Sequence, residues 1–71
     1  MFWVVRIDSF WYRCKTLEQA ERHYQYVLDN INGKYKSKDK LYLAEYGGEH
    51  PRILKKWIRP QLEEEKGYGK Y

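Results

Sequence analysis

The stretch TLEQAERHYQYVLDNING, residues 16–33, decides how this chain folds. Its apolar residues fall at Leu17, Ala20, Tyr24, Val27, Leu28 and Ile31, in steps of three, four, three, one and three. That is the period of an α-helix and not of a strand. Thr16 is a good N-cap, because its hydroxyl can accept from an orphan N–H of the first turn. Gln19 stands where a capping box needs it. Glu18 and Glu21 set negative charge near the positive end of the helix dipole. The far face carries Glu18, Arg22, Gln25, Asp29 and Asn30, with Glu18–Arg22 as a favourable i,i+4 pair. Asn32-Gly33 is the expected end, since glycine takes the left-handed C′ conformation at no steric cost. A helix of this length with one apolar stripe is marginal alone and must bury that stripe on something else.

The partner surface lies upstream. Phe2–Ile7 and Phe10–Cys14 are rich in β-branched and aromatic residues, with Asp8-Ser9 between them as a two-residue turn. Asp-Ser is a poor hairpin pair, because neither residue adopts positive φ as readily as glycine. Register argues better than the turn. A two-residue turn pairs Ile7 with Phe10, Val5 with Tyr12 and Trp3 with Cys14, and puts all six on one face, where the helix can land. The other face then holds Val4, Arg6, Trp11 and Arg13, with Arg6 opposite Trp11 and Val4 opposite Arg13.

Downstream, residues 34–40 read Lys-Tyr-Lys-Ser-Lys-Asp-Lys, with no apolar period. They are expected to be a solvated loop leading into a strand at Leu41–Tyr46. In that strand Leu41 and Leu43 face one way and Tyr42, Ala44 and Tyr46 the other. Gly47-Gly48 breaks it. Pro51–Arg59 supports two readings. Ile53, Leu54, Trp57 and Ile58 have helical spacing, and Pro51 suits a first helical turn. The short run after a Gly-Gly turn, with Arg59 held extended by Pro60, favours a fourth strand. The expected fold is therefore α+β: a single helix packed on a small antiparallel sheet, β-β-α-β-β or β-β-α-β-α. Its core is Trp3, Val5, Ile7, Phe10, Tyr12, Leu17, Ala20, Tyr24, Val27, Leu28, Ile31, Leu41 and Leu43. Residues 1–59 form the one domain, and residues 60–71 a flexible acidic, then Gly/Tyr-rich, tail.

Composition limits the function. With 42% hydrophobic and 34% charged residues in 71, the chain is globular, with a thin core that makes homodimerisation an option. No apolar run nears the roughly 18 residues of a membrane span, and Phe2-Trp3-Val4-Val5 reads as a strand without a signal peptide. The single cysteine, Cys14, excludes an internal disulfide, and the expected location is cytoplasmic. Residues 1–59 hold 12 basic and 7 acidic groups, a mildly basic balance that permits nucleic acid or an acidic protein as partner.

Two phrases carry a resemblance. Tyr12-Arg13-Cys14-Lys15-Thr16-Leu17-Glu18-Gln19-Ala20-Glu21 is similar to the strand and T-x-E-x-A-E helix start of small phage and mobile-element α+β proteins. Leu41-Tyr42-Leu43-Ala44-Glu45-Tyr46, followed by Ile53-Leu54-Lys55-Lys56-Trp57, resembles their C-terminal half. The first phrase also resembles the end of the arm-type DNA-binding domains of tyrosine recombinases, which have three strands before the helix where this chain has room for two. The resemblance implies a phage-like accessory protein and no particular activity.

The candidate site is the sheet face away from the helix. Trp11 flanked by Arg6 and Arg13, with Tyr42 and Tyr46, makes an aromatic platform rimmed by guanidinium groups. Bases stack on such rings and arginines hold phosphates. Lys34, Lys36, Lys38 and Lys40, with Lys55, Lys56 and Arg59, extend a stripe able to follow a phosphate backbone. The same residue types anchor protein interfaces, so a module that binds or inhibits a host protein is the alternative. Arg–Trp and Val–Arg cross-strand pairs are also ordinary sheet stabilisation. No catalytic, cofactor or metal constellation is expected. His23 flanks the helix stripe, His50 precedes Pro51 in a turn, and Cys14 faces inward as an inert thiol.

Overall fold

The computed structural model describes residues 1–60, and the chain runs β1 (Phe2–Ile7), β2 (Phe10–Cys14), α1 (Leu17–Asp29), β3 (Lys40–Tyr46) and β4 (Arg52–Ile58). The strands form one antiparallel sheet in the order β2-β1-β3-β4, with α1 on one side. The α+β expectation holds, and residues 51–59 resolve to the strand. The tail, from residue 61 on, lies outside the described residues.

The hairpin has the register that the alternation requires: Trp3–Cys14, Val4–Arg13, Val5–Tyr12, Arg6–Trp11 and Ile7–Phe10. Asp8 carries the turn at φ 52°, the strained conformation that the sequence argued against. Its side chain explains why. Asp8 Oδ1 accepts from the backbone N–H groups of Asp39 at 3.0 Å and Lys40 at 2.9 Å. The Asp8 N–H in turn donates to the Lys40 carbonyl at 2.9 Å. One aspartate thus closes the hairpin and anchors the start of β3, which glycine could not do.

Thr16 caps α1 as expected, accepting from the Gln19 N–H at 3.1 Å, while Gln19 Oε1 accepts from the Lys15 N–H at 3.2 Å. The far end differs from the expectation. The helix stops at Asp29, and Asn30 is the cap, its Nδ2 donating to the Tyr26 carbonyl at 2.7 Å. Gly33 does not adopt positive φ; it lies in a chain of turns held by N–H donations from Gly33 and Tyr35 to the Asn30 carbonyl. These turns tuck Ile31 and Tyr35 against the core.

The core is Val5, Ile7, Cys14, Ala20, Tyr24, Val27, Ile31, Leu41 and Leu43, with Trp3, Leu28, Tyr35, Leu54 and Trp57 packed around it. Three expected members are exposed: Phe10 at 68%, Tyr12 at 49% and Leu17 at 37%. Phe10 and Tyr12 are on the helix side, as parity demands, but β2 is an edge strand and α1 lies over β1 and β3. Leu17 is the first helical residue and stays partly in water.

A β-bulge explains the helical spacing of Ile53, Leu54, Trp57 and Ile58. Leu43 pairs with Lys55 but Ala44 with Ile53, so Leu54 is an extra residue. The extra residue shifts the alternation by one. Leu54 and Trp57 reach the helix side while Ile53 and Ile58 face away.

Arg59 ends the described fold as a clamp. Its side chain is 16% exposed, and its Nη2 donates to the carbonyls of Lys38 at 2.6 Å and Ile31 at 3.2 Å. Its Nε lies 3.3 Å from Asp39 Oδ1, and its backbone N–H donates to the Asp39 carbonyl. Lysine has a charge but no planar fork to reach both carbonyls. Arg59→Lys is expected to lose about 1.5–3 kcal/mol in urea unfolding with an unchanged m-value, from hydrogen bonds to a charged group. A loss below about 0.5 kcal/mol, the range of ordinary surface changes, would show that the clamp is not what holds the loop.

Candidate functional site

The sheet face away from α1, the open face, is built by alternation. β1 contributes Phe2, Val4 and Arg6; β2 Trp11 and Arg13; β3 Lys40, Tyr42, Ala44 and Tyr46; β4 Ile53, Lys56 and Ile58. Rings and guanidinium groups interlock across it. The Arg6 guanidinium lies 5.4 Å from the Trp11 ring, and Trp11 meets Tyr46 at 6.2 Å and 49°. Tyr46 stacks on Phe2 at 5.2 Å and 5°, and the Arg13 guanidinium sits 4.1 Å over Phe2. The ladder Arg6–Trp11–Tyr46–Phe2–Arg13 is a run of three rings closed by a guanidinium group over the ring at each end. The Trp11–Tyr46 pair spans the strip above Val4, which is 4% exposed although it points away from the helix. Val4 is thus a second, minor buried site that the sequence analysis placed outside the core.

Beside the ladder is an open concavity of about 500 Å³, with Val4, Ala44, Pro51 and Ile53 as its apolar part and Arg6, Trp11, Lys40, Tyr42 and Tyr46 around it. The charges on this face share one sign. Arg6, Arg13, Lys40 and Lys56 project from its strands, and among the described residues no strand carboxylate does. Asp8 lies at the end of the face, where its Oδ1 is taken by the amides of Asp39 and Lys40. The acidic side chains Glu18 and Glu21 are on the helix, and Glu45 pairs with Arg52 at 3.3 Å.

Of the expected site residues, Arg6, Trp11, Arg13, Lys40, Tyr42, Tyr46 and Lys56 come together here. Lys34, Lys36 and Lys38 do not, because they belong to the turns after α1. Lys34 Nζ lies near the Tyr26 and Tyr35 rings, at 5.8 and 5.7 Å. Lys55 is on the helix side, 3.5 Å from Glu21 and 5.7 Å from the Tyr24 ring. Arg59 is occupied by the clamp. The continuous lysine stripe therefore does not form. Sequence reasoning missed Phe2, Pro51 and Ile53. Phe2 was findable, since it shares parity with Val4 and Arg6; Ile53 was hidden by the bulge.

The helix side holds the other titratable groups of interest. His23 stacks on Tyr12 at 4.2 Å and 25°, and its Nε2 is buried with no hydrogen-bond partner among the described residues, as is Trp3 Nε1. Burial pushes the Cys14 thiol up, as expected for an inert cysteine. Among the described residues, no three His, Cys, Asp or Glu side chains converge to hold a metal ion, and no helix is long and apolar enough to cross a membrane. Comparison with protein-family models, with curated proteins and with solved structures finds no match for this chain.

Burial lowers the His23 pKa below its ordinary 6.5. The unfolded chain then binds the proton more tightly, so this contribution is full above pH 6.5 and is lost as pH falls through the lowered folded value. Thermal midpoints of the wild type are expected to drop from pH 7.5 to pH 5.5, by more than those of His23→Phe, which keeps the stack on Tyr12. Parallel pH profiles for the two proteins would remove His23 as the cause.

Proposed function

We propose that this chain is a non-enzymatic nucleic-acid-binding protein that receives a single strand on the open face of its sheet. The observation that carries the reading is the coincidence, on one face and among the described residues, of an exposed tryptophan and four strand cations with no strand carboxylate. Trp11 is 54% exposed, held from behind by Arg6, and so offers a ring face for a base. Arg6, Arg13, Lys40 and Lys56 can meet phosphates on either side of it. An open sheet face suits splayed, unstacked bases better than it suits a duplex groove, which takes a helix or a two-stranded ribbon. The resemblance to small phage and mobile-element proteins supports an accessory role. The apolar part of the concavity, with Ile53 62% exposed beside Pro51, favours the second reading, a protein partner seated on the same face.

Titration of tryptophan fluorescence with a random single strand and a random duplex separates the two. The single strand is expected to quench emission at low salt, and Trp11→Ala to weaken binding by about 5- to 150-fold, the equivalent of one stacked base. Four neutralised phosphates set a slope of log K against log salt of about −3 for a single strand. A flat titration at low salt, where phosphate contacts are strongest, would overturn the nucleic-acid reading and leave the protein partner.

A further inference from the structure

The sheet has two edges, and the chain treats them differently. β4 is kinked by the bulge at Leu54 and carries Arg52, Lys55 and Lys56, features that discourage pairing with another strand. β2 keeps a regular register over its whole length and bears three consecutive exposed aromatics, Phe10, Trp11 and Tyr12. It is the edge left ready to pair.

Backbone alternation identifies its free groups. The Asp8 N–H donates to the Lys40 carbonyl, so the even residues of β1 bond towards β3 and the odd ones, Trp3, Val5 and Ile7, bond towards β2. Those take up Phe10, Tyr12 and Cys14. The N–H and C=O groups of Trp11 and Arg13 therefore point outward, without a strand partner among the described residues.

We infer that β2 pairs antiparallel with β2 of a second copy, with Trp11 opposite Arg13 and Tyr12 opposite Tyr12. Hydrogen-bonded pairs must join outward-pointing residues, which leaves three central registers. Trp11 opposite Trp11 runs Arg13 into the turn at Ser9. Arg13 opposite Arg13 sets two guanidinium groups together, a repulsive cross-strand pair. Trp11 opposite Arg13 uses every free group of both residues and avoids like charges. It also sets each Trp11, with its own Arg6 5.4 Å away, beside the Arg13 of the other copy at the seam of the two open faces. On the helix side, Tyr12 meets Tyr12 in a close non-hydrogen-bonded pair, and each Phe10 faces the other copy's Cys14. The two-fold axis stands perpendicular to the sheet. Both helices fall on one side, and the two open faces join into one eight-stranded surface.

A five-residue edge is short, so association is expected in the range of about 10–100 µM. Sedimentation equilibrium from about 10 µM to about 1 mM should show the 8.8 kDa chain passing to twice that mass. Amide exchange followed by NMR should show the N–H groups of Trp11 and Arg13 gaining protection over the same range. Tyr12→Lys opposes two ammonium groups at the axis, lies off the open face, and should abolish the mass shift while far-UV circular dichroism stays unchanged. A monomer at the highest concentration, or a dimer whose Trp11 and Arg13 amides still exchange freely, overturns the inference. The exchange measurement stands on the wild type alone, whatever the variant does.

Discussion

One thirteen-residue helix has to cover a four-stranded sheet, and it is not wide enough. A helix with its side chains is about 10–12 Å across, while four strands at about 4.8 Å spacing span about 14 Å between the outer axes alone. The helix therefore settles over β1 and β3, where Val5, Ile7, Leu41 and Leu43 make the floor of the core. Each buried aliphatic side chain there contributes about 1.5–3 kcal/mol. Everything beyond that strip must be covered in some other way. On the β4 side Leu54 and Trp57 do it. On the β2 side only Cys14 is buried; Tyr12 meets His23 along one face and stays half exposed, and Phe10 stays in water. The uncovered sheet face meets the same constraint with rings and guanidinium groups, which tolerate water on one side and shield Val4 on the other.

The candidate site follows from this shortage. A side chain facing away from α1 cannot join the core beneath it, so strand parity sorts which residues are available to a partner. The chain puts arginines, lysines and aromatics at those parities and keeps its strand carboxylates elsewhere. Charge segregation of this kind raises the local potential without raising the total charge of +4 very far.

Period and parity made much of this legible in the sequence. Helix start, hairpin register, strand β3 and the pairing of Arg6 with Trp11 all follow from rules that act within a few residues. What escaped depends on longer range. The end of α1 is set by the Asn30 side chain and by Arg59 gathering the carbonyls of Ile31 and Lys38, not by Gly33. The exposure of Phe10 and Tyr12 depends on where the helix sits laterally, which no local pattern encodes. The bulge at Leu54 mimics helical spacing because one inserted residue reverses strand parity. Lys55 and Lys56 were assigned to one cationic stripe, but as neighbours in a strand they stand on opposite faces.

The place of β1 has a consequence for the order of events when the chain folds. The first strand in sequence is an inner strand of the sheet, flanked by its hairpin partner and by a strand that begins 33 residues later. The hairpin can close in about 1–10 µs and the helix faster, each from local contacts. Neither is stable until β3 arrives, because a two-stranded ribbon and an isolated helix are both marginal in water. Asp8 then joins ends of a loop that contains the entire helix, since Asp39 stands 31 positions further along the chain. Closing that loop is the entropic step on which all later pairing waits.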